Sequence, residues 1–108
     1  LSYHGGSVWA HDTAIAIRGL AKAGFTDAAG VLAAGLLAAA DSFDYRMPEL
    51  HSGDPADSFA SAVPYPAACR PQAWSAAAAI AVYTALQYSA VQVTAVQVTA
   101  VQVGTAGG

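Results

Sequence analysis

All five prolines of this 108-residue chain, Pro48, Pro55, Pro64, Pro66 and Pro71, fall in one stretch. A proline inside a helix removes a backbone hydrogen bond and clashes with the preceding turn. It also pushes the residue before it toward extended geometry. No helix can therefore run through residues 41–71, and helices are confined to either side of that stretch. On the N-terminal side, apolar Ile15, Ile17, Leu20 and Ala21, with Ala14 one turn back, predict a helix over 11–23. Asp12 or Thr13 can cap its start, and Gly24 stands where a left-handed residue is wanted at its end. Thr26 and Asp27 offer a second start, and Val31, Leu32, Leu36 and Leu37 carry helical spacing to about Ala40. Two helices joined by so short a link make an αα-hairpin. Gly30 and Gly35 each cost this helix about 1 kcal/mol relative to alanine, but they allow a second helix to come close. Beyond the prolines, a third helix is expected from Pro71 through Trp74, Ala78, Ile80, Ala81 and Val82 to about Tyr88. The fold expected is all-α, an αα-hairpin plus a further helix with long ordered loops.

The helices offer little to bury. Hydrophobic residues make up 56% of the chain and charged residues 10%, against about 25% charged in typical domains. Much of the apolar share is alanine, so the core is thin and the helices are expected to need partners outside this chain, either copies of it or further helices. The net charge of -3 and the lack of any Lys/Arg cluster argue against nucleic acid as a partner. The apolar runs are interrupted by Gly, Ser and Thr, which makes them poor membrane spans. Cys69 is the chain's one cysteine, so it cannot form an intrachain disulfide. No signal peptide is visible in the opening LSYHGG, and a soluble, cytoplasmic protein is expected. Residues 90–104 read AVQVT AVQVT AVQVG, and strand, helix and disorder all remain open for this repeat. The expected division is therefore 1–88 as the structured part and 89–108 as a low-complexity repeat and flexible tail.

Three segments carry the chemistry. Tyr3, His4, Trp9, His11 and Asp12 open the chain and combine aromatic faces with hydrogen-bonding groups, as a sugar pocket requires. The same residues also fit a Gly-rich turn with Trp9 in the core and Asp12 capping a helix. In the second segment Glu49 follows Pro48, with Arg46 and His51 close in sequence. A carboxylate held in a proline-constrained loop can serve as a general base, and it can equally be a solvated loop residue. The third segment brings Tyr65, Gln72 and Trp74 to the start of a helix, where Trp74 either packs inward or lines a pocket. His4, His11, His51, Asp12 and Asp54 show no metal-ligand spacing, and neither a metal nor a cofactor is expected.

In this order, YHGGSVWAHD, PELHSG and PYPAACRPQAW resemble the motif segments of bacterial amylo-α-1,6-glucosidase-like and glycogen-debranching-type glycoside hydrolases. The likeness covers residues 3–88, and Gly5, Ala10, His51 and Arg70 stand where the family motifs carry other residues. It implies an (α/α)6 toroid, of which this chain would be a segment, and an inverting hydrolase acting on α-glucosidic linkages. Inversion needs two carboxylates on opposite sides of the bond. By the likeness, Glu49 matches the glutamate assigned as general base. Tyr3, His4, Trp9, His11, Asp12, Tyr65, Gln72 and Trp74 match cleft-lining positions, and the partner is an α-glucan or oligosaccharide. The general acid would come from a region upstream of these segments, so the chain alone is expected to be inactive. Asp12, Asp44 and Asp54 remain as internal alternatives for the acid. The alternative reading is a non-catalytic helical module that contacts carbohydrate or associates with itself.

Overall fold

A computed structural model describes residues 1–87, and the expectations for the 90–104 repeat and the tail lie outside the described residues. The chain is mainly helical, with a short strand β1 (Ser7–Trp9), helix α1 (Ala10–Lys22), helix α2 (Thr26–Ser42) and a second strand β2 (Leu50–Ser52). A third helix, α3, covers 73–87. Helix α1 packs against both α2 and α3.

The two strands correct the all-α expectation. β1 and β2 pair antiparallel, with Ser7 opposite Ser52, Val8 opposite His51 and Trp9 opposite Leu50. Three-residue strands are too short to leave an alternating pattern in sequence, and the glycines and prolines around them read as loop. Leu50 is completely buried, which anchors the ladder to the helices. On its other side β2 is held by Ser52 N–H donating to the Val63 carbonyl (2.9 Å) and by a bridge between His51 and Pro64.

The ladder also explains why α1 begins earlier than its capping residues suggest. Trp9 is extended (φ -97°, ψ 121°) and no side chain caps the helix. The Ala10 N–H instead donates to the Glu49 carbonyl across the ladder (3.4 Å), meeting one of the unpaired donors of a helix start. Thr13, one of the expected caps, donates its hydroxyl back to the Trp9 carbonyl (2.8 Å). Asp12 lies in the first turn, where a negative charge is favoured by the helix dipole.

The end of α1 follows the expectation. Phe25 N–H donates to the Leu20 carbonyl (2.9 Å) and Gly24 N–H to the Ala21 carbonyl (3.2 Å), while Gly24 has φ +89°. This is a Schellman closure, in which glycine takes the left-handed position. α2 closes the same way without a glycine. Tyr45 N–H donates to the Ala40 carbonyl (2.8 Å) and Asp44 N–H to the Asp41 carbonyl (3.2 Å), with Asp44 at φ 55° and Tyr45 at φ 59°.

Helix α3 starts two residues after Pro71, at 73. Its first turn is marked by Ala76 N–H donating to the Gln72 carbonyl (2.9 Å).

The inner face of the helices is mostly alanine. Ala10, Ala14, Ile17 and Ala21 of α1 meet Ala29, Ala33, Leu36 and Ala40 of α2, with Ala78, Val82 and Ala85 closing the third side. Several of the large apolar residues that carry the helical spacing stay exposed. Ile15, Val31, Leu37 and Ile80 are more than half exposed, and Trp74 is 68% exposed. A helix holding Ala14, Ile17 and Ala21 on one stripe turns Ile15 about 100° away from it. Nothing approaches within 4 Å of the position a Cβ would take on Gly30 or Gly35, so these glycines do not mark a close helix crossing among the described residues.

Replacing Leu50 with alanine is expected to lower stability by about 2–5 kcal/mol, as for other fully buried leucines. Replacing exposed Ile15 with alanine should change it by less than about 0.5 kcal/mol. Chemical denaturation of the two variants checks the contrast.

Candidate functional site

The three chemically loaded segments meet around the backbone of Glu49. Its carbonyl accepts from Ala10 N–H (3.4 Å) at the end of the first segment, and its N–H donates to the Cys69 carbonyl (2.9 Å) in the third. Two residues back, Gln72 N–H donates to the Met47 carbonyl (3.2 Å). Glu49 is thus pinned from both sides by residues distant in sequence. Its side chain is half-buried and accepts a 2.5 Å hydrogen bond from the Tyr3 hydroxyl.

Arg70 holds the third segment in place. Its Nη2 donates to the Phe43 carbonyl at the end of α2 (2.6 Å) and its Nε to the Arg46 carbonyl (3.3 Å). The guanidinium also lies 5.3 Å from the centre of the Phe43 ring and 3.6 Å from the Asp44 carboxylate. A cation at a helix C-terminus complements the unpaired carbonyls there. In the sequence Arg70 shows only as a departure from a motif, because nothing in the chain order reveals that Phe43 and Arg46 lie beside it.

An aromatic ledge extends from Tyr3, the ring that touches the carboxylate. Tyr3 meets Trp9 edge-on at 4.6 Å, and the His4 ring stacks on Trp9 at 5.3 Å. Tyr65 lies 6.0 Å from Tyr3. Trp9 Nε1–H donates to the Tyr3 carbonyl (3.0 Å), which folds the opening residues back over β1. His11 extends the row, 6.0 Å from Trp9 and 5.3 Å from Trp74. Trp74 is therefore neither a core residue nor enclosed. It stands out at the edge of a shallow depression lined by His11, Ala14, Ile15, Trp74, Ala77 and Ala78. Gln72 Oε1 accepts from the Ser75 hydroxyl (3.0 Å), so that end of Gln72 is engaged in supporting the first turn of α3.

Asp12 is exposed and touches His11, with Oδ1 3.4 Å from Nε2. His11 Nδ1 is buried without a partner among the described residues. Of the other acidic residues considered as partners for Glu49, Asp44 faces Arg70 and Asp54 accepts from the Ser52 hydroxyl. Among the described residues, no three His, Cys, Asp or Glu side chains gather as a metal-binding set. No helix among them is long and apolar enough to cross a membrane.

The Tyr3–Glu49 pair alters the phenol's chemistry. Donating to the carboxylate, with the carboxylate's charge adding to the effect, raises the Tyr3 pKa from 10.0 to about 12. The neutral phenol is the form that can donate, and a phenolate would face a carboxylate. The arrangement presents a carboxylate, a phenol and stacked rings on one open surface, able to hold an apolar ring face and its hydroxyls together.

No known protein family, curated protein or solved structure matches the chain.

The raised Tyr3 pKa sets a pH dependence. Above pH 10 the unfolded chain gives up this proton before the folded one does, so the folded state loses stability as pH rises from about 10 toward 12. Tyr3→Phe is expected to remove Tyr3's share of that loss, and Glu49→Gln to return the phenol toward its ordinary range. Absorbance titration of the tyrosines, with unfolding measured across that window, reads both effects.

Proposed function

We propose that this chain contributes one wall of the sugar cleft of an amylo-α-1,6-glucosidase-like, inverting glycoside hydrolase acting on α-glucosidic linkages. The observation that carries the reading is the meeting of the three motif segments at Glu49, whose backbone is bonded to Ala10 and Cys69 and whose carboxylate is bonded to Tyr3. Segments that resemble a family's cleft motifs and also converge in space are what such a cleft requires.

In this reading Glu49 is the general base. It takes a proton from the water that attacks the anomeric carbon while an acid on the opposite side protonates the departing oxygen. Tyr3 orients the carboxylate by its hydrogen bond, and His4, Trp9, His11, Tyr65 and Trp74 offer the ring faces on which a glucosyl unit stacks. Asp12 and Gln72 border that surface. The three helices correspond to one sector of an (α/α)6 toroid. The other sectors and the acid would come from a region outside these residues or from an associated chain. The low charge and single cysteine suit a cytoplasmic setting.

A second reading follows from the openness of the ledge. Trp74 is exposed and Tyr3 is 39% exposed, so the surface could hold an α-glucan without cleaving it, as a carbohydrate-contacting module.

Titration of the 108-residue chain with maltose and isomaltose, followed by the indole signals of Trp9 and Trp74, tests both readings. Saturable shifts confined to the first and third segments are expected, with no glucose released. Tyr3→Phe should weaken the binding several-fold. Glucose release abolished by Glu49→Gln would establish the base and overturn the need for a separate acid. Absence of any saccharide-dependent shift would remove both readings.

A further inference from the structure

Away from the aromatic ledge, the loop over 54–63 lies against α2 and lines a partly open cavity of about 310 Å³. This is at the small end of ligand-site volumes. None of the ledge residues lines it. Ala39, Pro55, Phe59 and Val63 supply apolar walls, and Ser42, His51, Ser52 and Asp54 supply the polar groups.

The hydrogen-bond inventory of these four is one-sided. His51 is buried, with 8% of its surface exposed, and its Nδ1 lies 2.8 Å from the Ser52 carbonyl. A carbonyl can only accept, so Nδ1 carries the proton and Nε2 presents a lone pair in the neutral ring. That Nε2 is shielded from water and has no partner among the described residues. The Ser52 hydroxyl donates to Asp54 Oδ2 and also accepts from the Asp54 N–H (3.3 Å). The Ser42 hydroxyl donates to the Ala38 carbonyl (3.3 Å) and accepts from the Ala62 N–H (3.0 Å). The side-chain donors of these four are thus spent within the protein, and the exposed Ser61 hydroxyl is the one further side-chain donor in the described lining. What the four leave over is acceptor capacity, Asp54 Oδ1 and the shielded His51 Nε2, together with the negative charge of Asp54. Among the described residues, no Lys or Arg lines the cavity to neutralise that charge.

We propose that this cavity binds a small organic ammonium with a compact apolar body. Its N–H groups donate to the Asp54 carboxylate, and its apolar body lies against Phe59 and Val63. A charged donor to a carboxylate forms the stronger class of hydrogen bond. An anion would meet the carboxylate, and a neutral alcohol would leave the charge unpaired. The proposal uses no residue of the sugar ledge and stands apart from the function proposed above.

Benzylammonium, benzyl alcohol and benzoate at neutral pH share one ring and differ in charge, so they test the claim on the full chain. Saturable shifts of the His51, Asp54 and Phe59 amide signals are expected with benzylammonium. Binding of benzyl alcohol should be weaker by about tenfold or more, and benzoate should not bind. Asp54→Asn should remove the preference for the cation, while Phe59→Ala should weaken the ammonium and the alcohol alike. Equal binding of the alcohol or of benzoate, an unchanged preference in Asp54→Asn, or no saturable shift would each overturn the proposal. If Asp54→Asn loses its helical circular dichroism, the three probes on the unaltered chain decide the matter.

Discussion

The three-residue ladder between β1 and β2 is the constraint on which the rest depends. It joins the residues that open the chain to the middle of the proline-rich stretch, and it does so over fully buried Leu50. Two strands of this length are not stable alone. Their pairing is held by that burial, by α1 beginning directly where β1 ends, and by Val63 and Pro64 on the far side of β2. Tyr3 can reach Glu49 because the ladder sets Trp9 and Ala10 beside Leu50 and Glu49, and the opening residues fold back onto Trp9. The same ladder turns His51 toward Phe43 at the end of α2 (ring centres 5.9 Å apart). The ledge and the cavity under 54–63 therefore lie on either side of one structural element.

The helices were legible in sequence because their ends carry local signals. Gly24 marks the close of α1, Thr26 opens α2, and the prolines exclude helix between α2 and α3. Their facing was less legible. Ile15, Val31, Leu37 and Ile80 mark the helices in sequence, yet alanines hold most inner positions and those larger side chains stay exposed. When one face of a helix is alanine and several others carry isolated large residues, periodicity does not single out the buried stripe. The ladder was invisible for a related reason, since pairing between distant three-residue stretches leaves no local pattern.

The candidate site divides along the same line. Tyr3, His4, Trp9, His11, Tyr65 and Trp74 are residue types with an evident capacity for stacking, and the fold draws them into one row. Glu49 could be named from its motif, but its hydrogen bond to Tyr3 depends on the ladder. Arg70 could not be given a part from sequence, because its role is to bind carbonyls of Phe43 and Arg46 that a long stretch of chain separates from it. Asp12 remains at the rim beside His11. His51 and Asp54 gain interest only once the 54–63 loop is seen, since which acceptors are left over is a property of which bonds are already made.

The register of the ladder is the most direct test of this account. Gly53 N–H donates to the Gly6 carbonyl (2.8 Å) and Ala10 N–H to the Glu49 carbonyl (3.4 Å), so Trp9 and Leu50 form a non-hydrogen-bonded pair. Such pairs bring their Cα atoms to about 4.5 Å, close enough for a strong nuclear Overhauser effect between the two Hα protons. The account predicts that cross-peak in the folded chain. Well-formed α1 and α2 without a Trp9–Leu50 Hα contact would contradict it.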